Sequence, residues 1–452
     1  MTGVFMVRAR ETQRRIVPCA LLLLILLAVP LNLFGLPPVE RTVLPNGLVL
    51  LTSEDHSLPF VTFQLLLSAG SASDPKGQEG IAAVTARGLL LGTAGRSVEA
   101  LNEELDFMGA SLSASAGRDH TVVGFRALTK DLARGFDLFL DVLLQPTFPT
   151  DEIRQEVTRT LAAIKGTEDY PGEVVEREFF KLLYGDGPFA HPPEGTEGSV
   201  AKLTQDMALR YYESFYKPNS AILVIVGDIS PELLKSLIIP RLSAWERATI
   251  PPGPSGRVYA GPTKKAMIER NITQANIIIG HKGITRDDPD YYAATVMNYI
   301  LGGGGFRSRL VEQVREKRGL AYAVSSSFDA GKSIGYFQVV LQTKNDSARQ
   351  AIDLVLAEME RIREDGVSDD ELEGAKKYLI GSFPLRLNTQ SRITGFLALV
   401  EYYGLGLDYP EKYPSYIEAV TKEDVLRAAR RHLYPDKYIQ AVVADLKKAG
   451  LK

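Results

Sequence analysis

The 452-residue chain has almost no cysteine. Its one cysteine, Cys19, lies inside an apolar N-terminal stretch, so the rest of the chain contains no thiol. This absence excludes disulfide bonds and a cysteine nucleophile from the bulk of the protein.

An excess of charge of one sign is also lacking. The formal net charge is -3, and no long basic run occurs. The chain therefore has no general electrostatic reason to bind nucleic acid or an anionic membrane surface, and we expect no nucleic-acid partner. Its 45% apolar and 24% charged residues are typical of a globular protein, and its length suggests two or three domains.

Histidine is scarce and scattered. The five histidines are His56, His120, His191, His281 and His432. None has a partner at the spacing of a metal-ligand motif, so we expect surface or packing histidines.

The N-terminus differs from the rest of the chain. Several arginines precede an uncharged apolar stretch, residues 16–36. Basic residues stay on the cytoplasmic side, and about twenty apolar residues can form a signal-peptide core or span a bilayer. We expect residues 1–38 to be a signal peptide or a membrane anchor, and the remainder to be exported, either periplasmic or membrane-anchored facing outside the cytoplasm. No clear cleavage site follows, so both alternatives stay open.

Apolar periodicity and turn residues predict alternating strands and helices after Pro37-Pro38. Thr42 to Thr52 reads as a hairpin around Leu44-Pro45-Asn46-Gly47, and Phe60 to Ala69 as a strand. Helical spacing or helix signals recur at 80–91, 97–108, 128–144 and 150–165, with a strand pair around 110–127.

The two halves of the chain carry similar short stretches. Asp74-Pro75 recurs as Asp288-Pro289, and similar pairs begin at residues 151 and 370 and at residues 203 and 420. Nearly constant offsets predict a duplicated α+β unit. We place the domains at about 40–250 and 262–452, joined by a Pro- and Gly-rich linker at 250–263.

Several motifs in a fixed order identify a known family. The matching stretches are Leu44-Pro45-Asn46-Gly47, Ala69-Gly70-Ser71, the frame of Gly80 to Thr93, Gly109-Ala110, Phe148-Pro149, Tyr216-Lys217-Pro218-Asn219, Gly227-Asp228 and Arg315 to Tyr322. With these stretches the chain resembles the insulinase, pitrilysin and mitochondrial processing peptidase family of zinc metallopeptidases. The resemblance implies an α+β fold of two homologous tandem domains, each a mostly antiparallel sheet packed with helices.

The family's metal ligands are missing. In its inverted zinc motif, two His four positions apart bind zinc and an intervening Glu is the general base. Here those positions hold Ala83, Ala86 and Arg87, and the position of the third ligand, about 76 residues later, holds Ala163. The resemblance therefore implies no zinc and no other cofactor in this chain.

A second set of family residues is present. Members hold substrate with an Arg and a Tyr seven positions apart, which match Arg315 and Tyr322. There they would bind a peptide carbonyl and stabilise its oxyanion. The alternative is a cationic helix C-terminus with Gly319 as its cap and Tyr322 as a packing residue.

Two further stretches match substrate-binding elements of the family. Gly302, Gly303, Gly304 and Gly305 correspond to a glycine-rich loop that lines the substrate cavity, with a tight helix connection as the structural alternative. Ser113, Ala114 and Ser115 lie in Ser111 to Ala116, which matches an edge strand to which peptide adds as another strand.

The resemblance gives a leading hypothesis with two alternatives. The leading one is a subunit without zinc, inactive by itself, that binds peptide or unfolded protein for a homologous zinc-bearing partner. The second is a non-proteolytic binding or scaffold protein of the same fold. An active enzyme with an unrelated site has little support, because no nucleophile and base constellation stands out.

Overall fold

The structure is a computed structural model that describes residues 36–254 and 256–451. Its strands are β1 (Val39–Val43), β2 (Val49–Glu54), β3 (Phe60–Leu67), β4 (Ser111–Ala116), β5 (Thr121–Leu128), β6 (Ala221–Gly227), β7 (Lys264–Glu269), β8 (Gln274–Lys282), β9 (Ala321–Ala330), β10 (Gly335–Lys344) and β11 (Ile439–Ala444).

Twelve helices of eight residues or more lie within the described residues. They are α1 (Ile81–Gly88), α2 (Val98–Met108), α3 (Leu132–Leu144), α4 (Thr150–Thr167), α5 (Pro171–Tyr184), α6 (Gln205–Phe215), α7 (Tyr291–Asn298), α8 (Ala348–Asp365), α9 (Asp369–Ser382), α10 (Gln390–Tyr402), α11 (Tyr409–Glu418) and α12 (Lys422–His432). Shorter helical segments are Glu197–Val200, Pro231–Leu233 and Ile239–Ser243, and π-helical turns span Leu234–Ile238, Tyr299–Gly303 and Val311–Glu316.

Polar caps fix where many of these helices begin. The Ser97 hydroxyl accepts the Ala100 N–H at the start of α2. Ser368 and Glu371 form a reciprocal capping box at α9, and Thr421 and Asp424 form another at α12. Each box satisfies backbone N–H groups that have no partner inside the helix.

The predicted N-terminal hairpin is confirmed. Strands β1 and β2 pair antiparallel from Val39 with Ser53 to Val43 with Val49. Gly47 has φ +90°, a conformation that glycine adopts without steric cost. The Asn46 amide donates to the carbonyls of Leu242 and Trp245 at 2.8 and 2.9 Å, which ties the turn to the helical segment that follows β6.

The two sheets share a five-strand order, to which β1 adds an extra edge strand in the first sheet, and this confirms the predicted α+β fold of two tandem units. The first sheet has the order β1-β2-β6-β3-β5-β4, and the second has β7-β11-β8-β10-β9. Each contains one parallel pair, β2 with β6 or β7 with β11, and is otherwise antiparallel. Equivalent strands β3 and β8 begin 214 residues apart, at residues 60 and 274, which is the spacing of the sequence repeat.

Each half of the chain contributes a helix that packs on the sheet of the other half. Helix α5 packs on β8 and β11 of the second sheet, where Phe179 is buried against Gly280. Helix α10 packs on β3 and β6 of the first sheet, where Leu397 joins a core with Leu66 and Val224. The two halves are thus interlocked, and residues 36–452 form one compact unit.

The domain boundaries expected from the sequence, at about 40–250 and 262–452, stay a prediction. The described residues of the predicted linker, 250–263, contain no helix or strand. Residues 1–35 of the predicted signal peptide or membrane anchor, 1–38, lie outside the described residues. Among the described helices, none combines the length and the apolar character needed to cross a membrane.

Candidate functional site

Helix α1 carries Ala83, Ala86 and Arg87, which with Ala163 are the four positions where the resemblance places the zinc ligands and the general base. We call these four the frame positions. The first turn of α1 is anchored by hydrogen bonds. The Asp74 carboxyl group accepts the backbone N–H groups of Gly80 and Ala82 at 2.6 and 3.0 Å. Gly80 has φ +99°, and a Cβ there would lie 2.5 Å from the Glu194 carbonyl oxygen. Burial raises the pKa of Asp74 to about 8, so this carboxyl acts as a hydrogen-bond acceptor for backbone N–H groups that have no partner inside the helix. Together with the close backbone approach at Gly80, it fixes where α1 starts.

Ala83 and Ala86 are buried on α1, whereas Arg87 reaches across to α4. The Arg87 guanidinium forms an ion pair with the Glu156 carboxylate and donates to the Thr160 hydroxyl at 2.9 Å. Glu156 and Thr160 are both buried, and Arg87 has a side chain that is 35% exposed. The Arg87 guanidinium thus lies between α1 and α4, the two helices that carry the frame positions.

A second arginine completes the charge balance around Glu156. Arg159 contacts the other carboxylate oxygen of Glu156 at 3.1 Å, and the Thr160 hydroxyl donates to the first oxygen at 3.2 Å. Within the described part of the chain, the hydrogen-bond and ion-pair partners of this buried carboxylate are two cations and one hydroxyl, so its charge is compensated inside the fold.

The residues at the four frame positions do not fit a zinc ion. Ala163 lies one helical turn beyond Thr160, on the same side of α4, and Thr160 contacts Arg87. Alanine has no lone pair to offer at residues 83, 86 or 163. Arg87 adds a fixed positive charge, which repels a cation.

Ala163 lies at the rim of a cleft of about 880 Å³. The cleft runs between the C-terminal half of α4, the start of α5 and the loop at residues 190–197. Ala163 is exposed and lines this cleft, whereas Ala83 and Ala86 are buried and do not.

One group of metal-ligand types does occur among the described residues, far from α1. Asp288, Asp290 and His432 have ligand atoms within 4.8 Å of one another. Asp290 is already engaged, because Arg427 contacts one oxygen at 3.1 Å and Arg431 the other at 3.2 Å, with His432 at 3.0 Å. These contacts are those of an ion-pair network around a buried carboxylate. The chain separation of 142 residues between Asp290 and His432 hid this cluster from the sequence.

The predicted edge strand is an edge in the structure. Within the described residues, β4 is last in the first sheet and pairs only with β5, from Ser111 with Arg126 to Ala116 with Thr121. Ser113 and Ser115 are exposed and Ala114 is buried. The free side of β4 therefore offers unpaired backbone groups beside small side chains.

The glycine run has packing reasons for its composition. A Cβ on Gly302 would lie 2.5 Å from the Ser326 hydroxyl, and one on Gly304 would lie 2.6 Å from the Tyr299 carbonyl oxygen. A Cβ on Gly303 would lie 2.7 Å from the Asn298 side-chain nitrogen, and Gly305 has φ +57°. The run thus forms the tight turn that joins two π-helical segments, as the structural alternative expected.

Arg315 and Tyr322 lie on either side of a glycine cap. The Gly319 N–H donates to the Arg315 carbonyl at 2.9 Å, and Gly319 has φ +62°. Arg315 lies in the π-helical turn Val311–Glu316, and Tyr322 lies near the start of β9. Tyr322 is 73% exposed, and β9 is one of the two edge strands of the second sheet as described.

The two sets of predicted residues stay in separate halves. The turn that holds Arg315 and the start of β9 contact α7, α8 and the glycine run. Helix α1 instead contacts α4, α6, β4 and β5. Among the described residues, Arg87 contacts the helix that carries Ala163, and Arg315 contacts Phe306 beside the glycine run, but no hydrogen bond or ion pair joins the two sets.

Comparisons with known proteins agree with this architecture. Residues 49–197 match the family model for insulinase (peptidase family M16), and residues 202–379 match the model for the peptidase M16 inactive domain. The crystal structure of the peptidase M16 inactive domain from Pseudomonas fluorescens is similar at 30% identity and a TM-score of 0.84, covering 90% of this chain and 98% of that chain. The chain belongs to the insulinase family, peptidase family M16.

Other relatives of this M16 chain extend over most of its length. A protease from Helicobacter pylori has the same fold, with a TM-score of 0.83 at 19% identity over 90% of this chain and 100% of that chain. An uncharacterized zinc protease from Streptomyces coelicolor is 28% identical over 423 residues, or 91% of each chain. Another from Bacillus subtilis is 25% identical over 359 residues, covering 79% and 86%. The family resemblance predicted from the motifs is thereby confirmed.

The sequence alone did not identify Glu156 and Thr160 as the partners of Arg87. Glu156 and Thr160 are four positions apart on α4, and therefore share a face with Ala163. That spacing was the available signal, because a buried helix face carrying a carboxylate needs a partner. The partner itself, Arg87, is 69 residues away and could be identified only from the fold.

Proposed function

We propose that this chain is a subunit of an M16 metallopeptidase that carries no zinc itself, and that it binds and positions peptide for a homologous zinc-bearing partner. The observation that carries the proposal is the ion pair that Arg87, at a frame position, forms with Glu156, together with a partly exposed Arg315 and an exposed Tyr322. The first feature removes metal chemistry from this chain. The second leaves donors available to a substrate.

Each proposed role follows from the chemistry of the side chain. Arg315 donates N–H groups to a peptide carbonyl, and the Tyr322 hydroxyl adds a further donor where negative charge develops. The open side of β4 hydrogen-bonds an extended peptide main chain, with Ser113 and Ser115 leaving room for its side chains. The partner supplies the zinc ion and the general base.

The relatives support this reading without extending it. Part of the chain matches a model described as an inactive domain, while curated relatives of similar length are described as zinc proteases. These descriptions support the proposal that a chain of this kind pairs with a zinc-bearing member of the family.

The test is partner-dependent peptide cleavage with each subunit's zinc content measured. The native complex is isolated through a C-terminal tag on this chain, its subunits are separated, and zinc is quantified in each. We expect zinc in the partner alone. We also expect Arg315→Ala and Tyr322→Phe to lower cleavage by the complex at least tenfold, because donors to a developing oxyanion act in the transition state.

Lys317→Ala is the matched control. Lys317 is an exposed cation two positions from Arg315 and pairs with Glu312 at 2.7 Å, so its removal should leave cleavage unchanged. Zinc-dependent cleavage by this chain alone would refute the proposal. Unchanged cleavage in both the Arg315 and Tyr322 variants would favour the scaffold alternative.

The proposed site of action is outside the cytoplasm. Residues 16–36 supply the export or anchoring segment for this role. Fractionation of cells that carry the C-terminally tagged full chain tests it, and recovery of the tagged chain from the cytoplasm alone would contradict it.

A further inference from the structure

Phe306 is an apolar side chain that the fold holds out in solvent. It follows the glycine run directly and is 73% exposed, although the residues from Ser308 to Leu310 are buried. A phenylalanine in water forgoes about 2 kcal/mol of stabilisation relative to a buried one. An exposed ring at such a position marks a surface that gains by being covered.

The turn that presents Phe306 is pinned on both sides. The Gly304 N–H donates to the Tyr299 carbonyl at 2.8 Å, and the Ser308 N–H and hydroxyl both donate to the Gly305 carbonyl, at 2.9 and 2.7 Å. Ser308 is fully buried. The exposure of the ring therefore results from an ordered turn, and a ligand would pay little ordering entropy to use it.

Arg315 lies against one face of this ring. The guanidinium carbon is 5.1 Å from the ring centroid, within the range of a cation–π contact. Among the described residues, the ion pair of Arg315 is a 3.7 Å contact with Glu316. The Arg315 guanidinium therefore retains N–H groups that can donate to a ligand, and the other face of the Phe306 ring stays uncovered.

We propose that Phe306 is a specificity-determining residue, and that this chain prefers extended peptides with a large aromatic or aliphatic side chain beside the carbonyl that Arg315 binds. The inference rests on the proposed function of Arg315. Successive Cα atoms of a peptide are about 3.8 Å apart, so a cation and a ring separated by 5.1 Å reach the carbonyl and side chain of one residue or of adjacent residues. Arg307 and Arg315 place positive charge here, which disfavours a basic side chain at that position.

The chain offers a closely matched control ring. Phe107 on α2 is 78% exposed, and the guanidinium carbon of Arg134 lies 5.2 Å from its centroid. Phe107 has the same residue type, exposure and arginine contact, but it lies in the first half and far along the chain from the glycine run. Replacing it tests whether any exposed Phe–Arg pair gives the same effect.

The experiment is fluorescence anisotropy on the full chain, without partner. Fluorescein-labelled unstructured ten-residue peptides are identical except for one central residue, Phe, Gly or Lys. We expect the Phe peptide to bind most tightly and the Lys peptide least. Phe306→Ala should weaken binding of the Phe peptide about tenfold, as expected for one apolar contact, and that of the Gly peptide less than twofold. Phe107→Ala should change neither.

The outcomes separate this inference from the proposed function. Equal binding of the Phe and Gly peptides by the unsubstituted chain, or equal weakening of both by Phe306→Ala, would overturn the role of Phe306. Absence of any peptide binding would also overturn it. The partner-dependent cleavage assay with Arg315→Ala remains a separate test, because it does not depend on which central residue is preferred.

Discussion

The two halves of this chain share a strand order but differ in how each half uses an arginine. In the first half, the helix after β3 leads to Arg87, whose charge is consumed by Glu156 inside the fold. In the second half, the segment before β9 leads to Arg315, whose guanidinium contacts an exposed ring and is partly exposed itself. Topology is therefore common to both halves, and chemistry is decided by whether an arginine finds an internal carboxylate.

The difference also shows how charge is balanced in the first half, where the resemblance places a metal site. Removing ligands from a buried site leaves carboxylates without a cation, and a buried unpaired charge is costly. Arg87 supplies a permanent cation that Glu156 and Thr160 can contact. The first half thereby gains an internal ion pair where the resemblance places catalytic groups.

The largest effect should come from restoring ligands to the first half. Ala83→His, Arg87→His and Ala163→Glu together replace the cation with two imidazoles four positions apart and one carboxylate. We expect retained zinc to rise from none to about one ion per chain after dialysis, as measured by metal analysis. The same three types of residue at Ala293, Met297 and Ala375 of the second half serve as the control and should retain none. A folded triple variant without zinc would show that the frame does not have metal-site geometry.

The second-largest effect should come from disturbing the packing of α5 or α10 on the sheet of the other half, which we call the helix exchange. Phe179→Ala on α5 should lower the free energy of unfolding by about 3–5 kcal/mol. Phe179 is fully buried, and a Cβ on Gly280 of β8 would lie 2.7 Å from its ring. Denaturant titration measures the loss, and hydrogen exchange should show it first in the second sheet. Leu397→Ala on α10 is the reciprocal variant and should deprotect the first sheet; the same response from both variants would contradict the exchange.

Acid should destabilise the second half through His281 on β8. Its Nε2 accepts the Tyr434 N–H at 3.2 Å and its Nδ1–H donates to the Lys282 carbonyl at 2.8 Å, so the buried ring is neutral. Burial lowers the pKa of His281 to about 4. The unfolded chain binds a proton near pH 6.5 while the folded chain does not, so stability is lost as the pH falls from about 6.5 to 4.

The size of the His281 effect is about 3 kcal/mol, at about 1.4 kcal/mol for each pKa unit. Thermal unfolding at pH 7, 6, 5 and 4 measures it. His281→Gln keeps a donor and an acceptor but does not titrate, and should flatten this part of the profile. A variant profile as steep as that of the unsubstituted chain would assign the acid sensitivity to other groups.

The smallest effects should be the losses of stability on replacing each of the two arginines, Arg87 and Arg315. Arg87→Ala should cost about 1–2 kcal/mol, because it leaves the buried Glu156 with only Arg159 as a cation, and the partial exposure of Arg87 limits the loss. Arg315→Ala should stay within about 0.5 kcal/mol, as is usual for exposed side chains. Denaturant titration gives both values. A double-mutant cycle of Arg87→Ala with Glu156→Ala should show coupling, and independent losses would mean that the ion pair contributes nothing.

Much of the local structure could be predicted from the sequence. The Leu44 to Gly47 turn, the helix at Ser97 and the edge strand at Ser111 to Ala116 depend on neighbours in the chain, and each is found where the pattern placed it. The duplicated strand order follows from repeated spacing. These features succeed because turns, caps and strand alternation are determined within a few residues.

The contacts of the candidate site were harder to predict. An apolar helix face shows that α5 is covered, but not that the sheet of the other half covers it. Periodicity likewise treats Phe306 as an apolar residue like any other, and only the fixed turn at Gly305 exposes its ring. Partners 69 or 142 residues apart, such as Arg87 with Glu156 or Asp290 with His432, leave no local trace.

The sequence by itself determined the order of elements, the duplication and the absence of ligand atoms at residues 83, 86 and 163. These depend on which residues are present and on short-range backbone preferences. Only the tertiary structure decided that Arg87 neutralises a buried carboxylate, that the halves exchange α5 and α10, and that Arg315 and Phe306 face solvent. Burial and charge compensation are properties of surfaces that meet across the fold, and distance along the chain does not specify them.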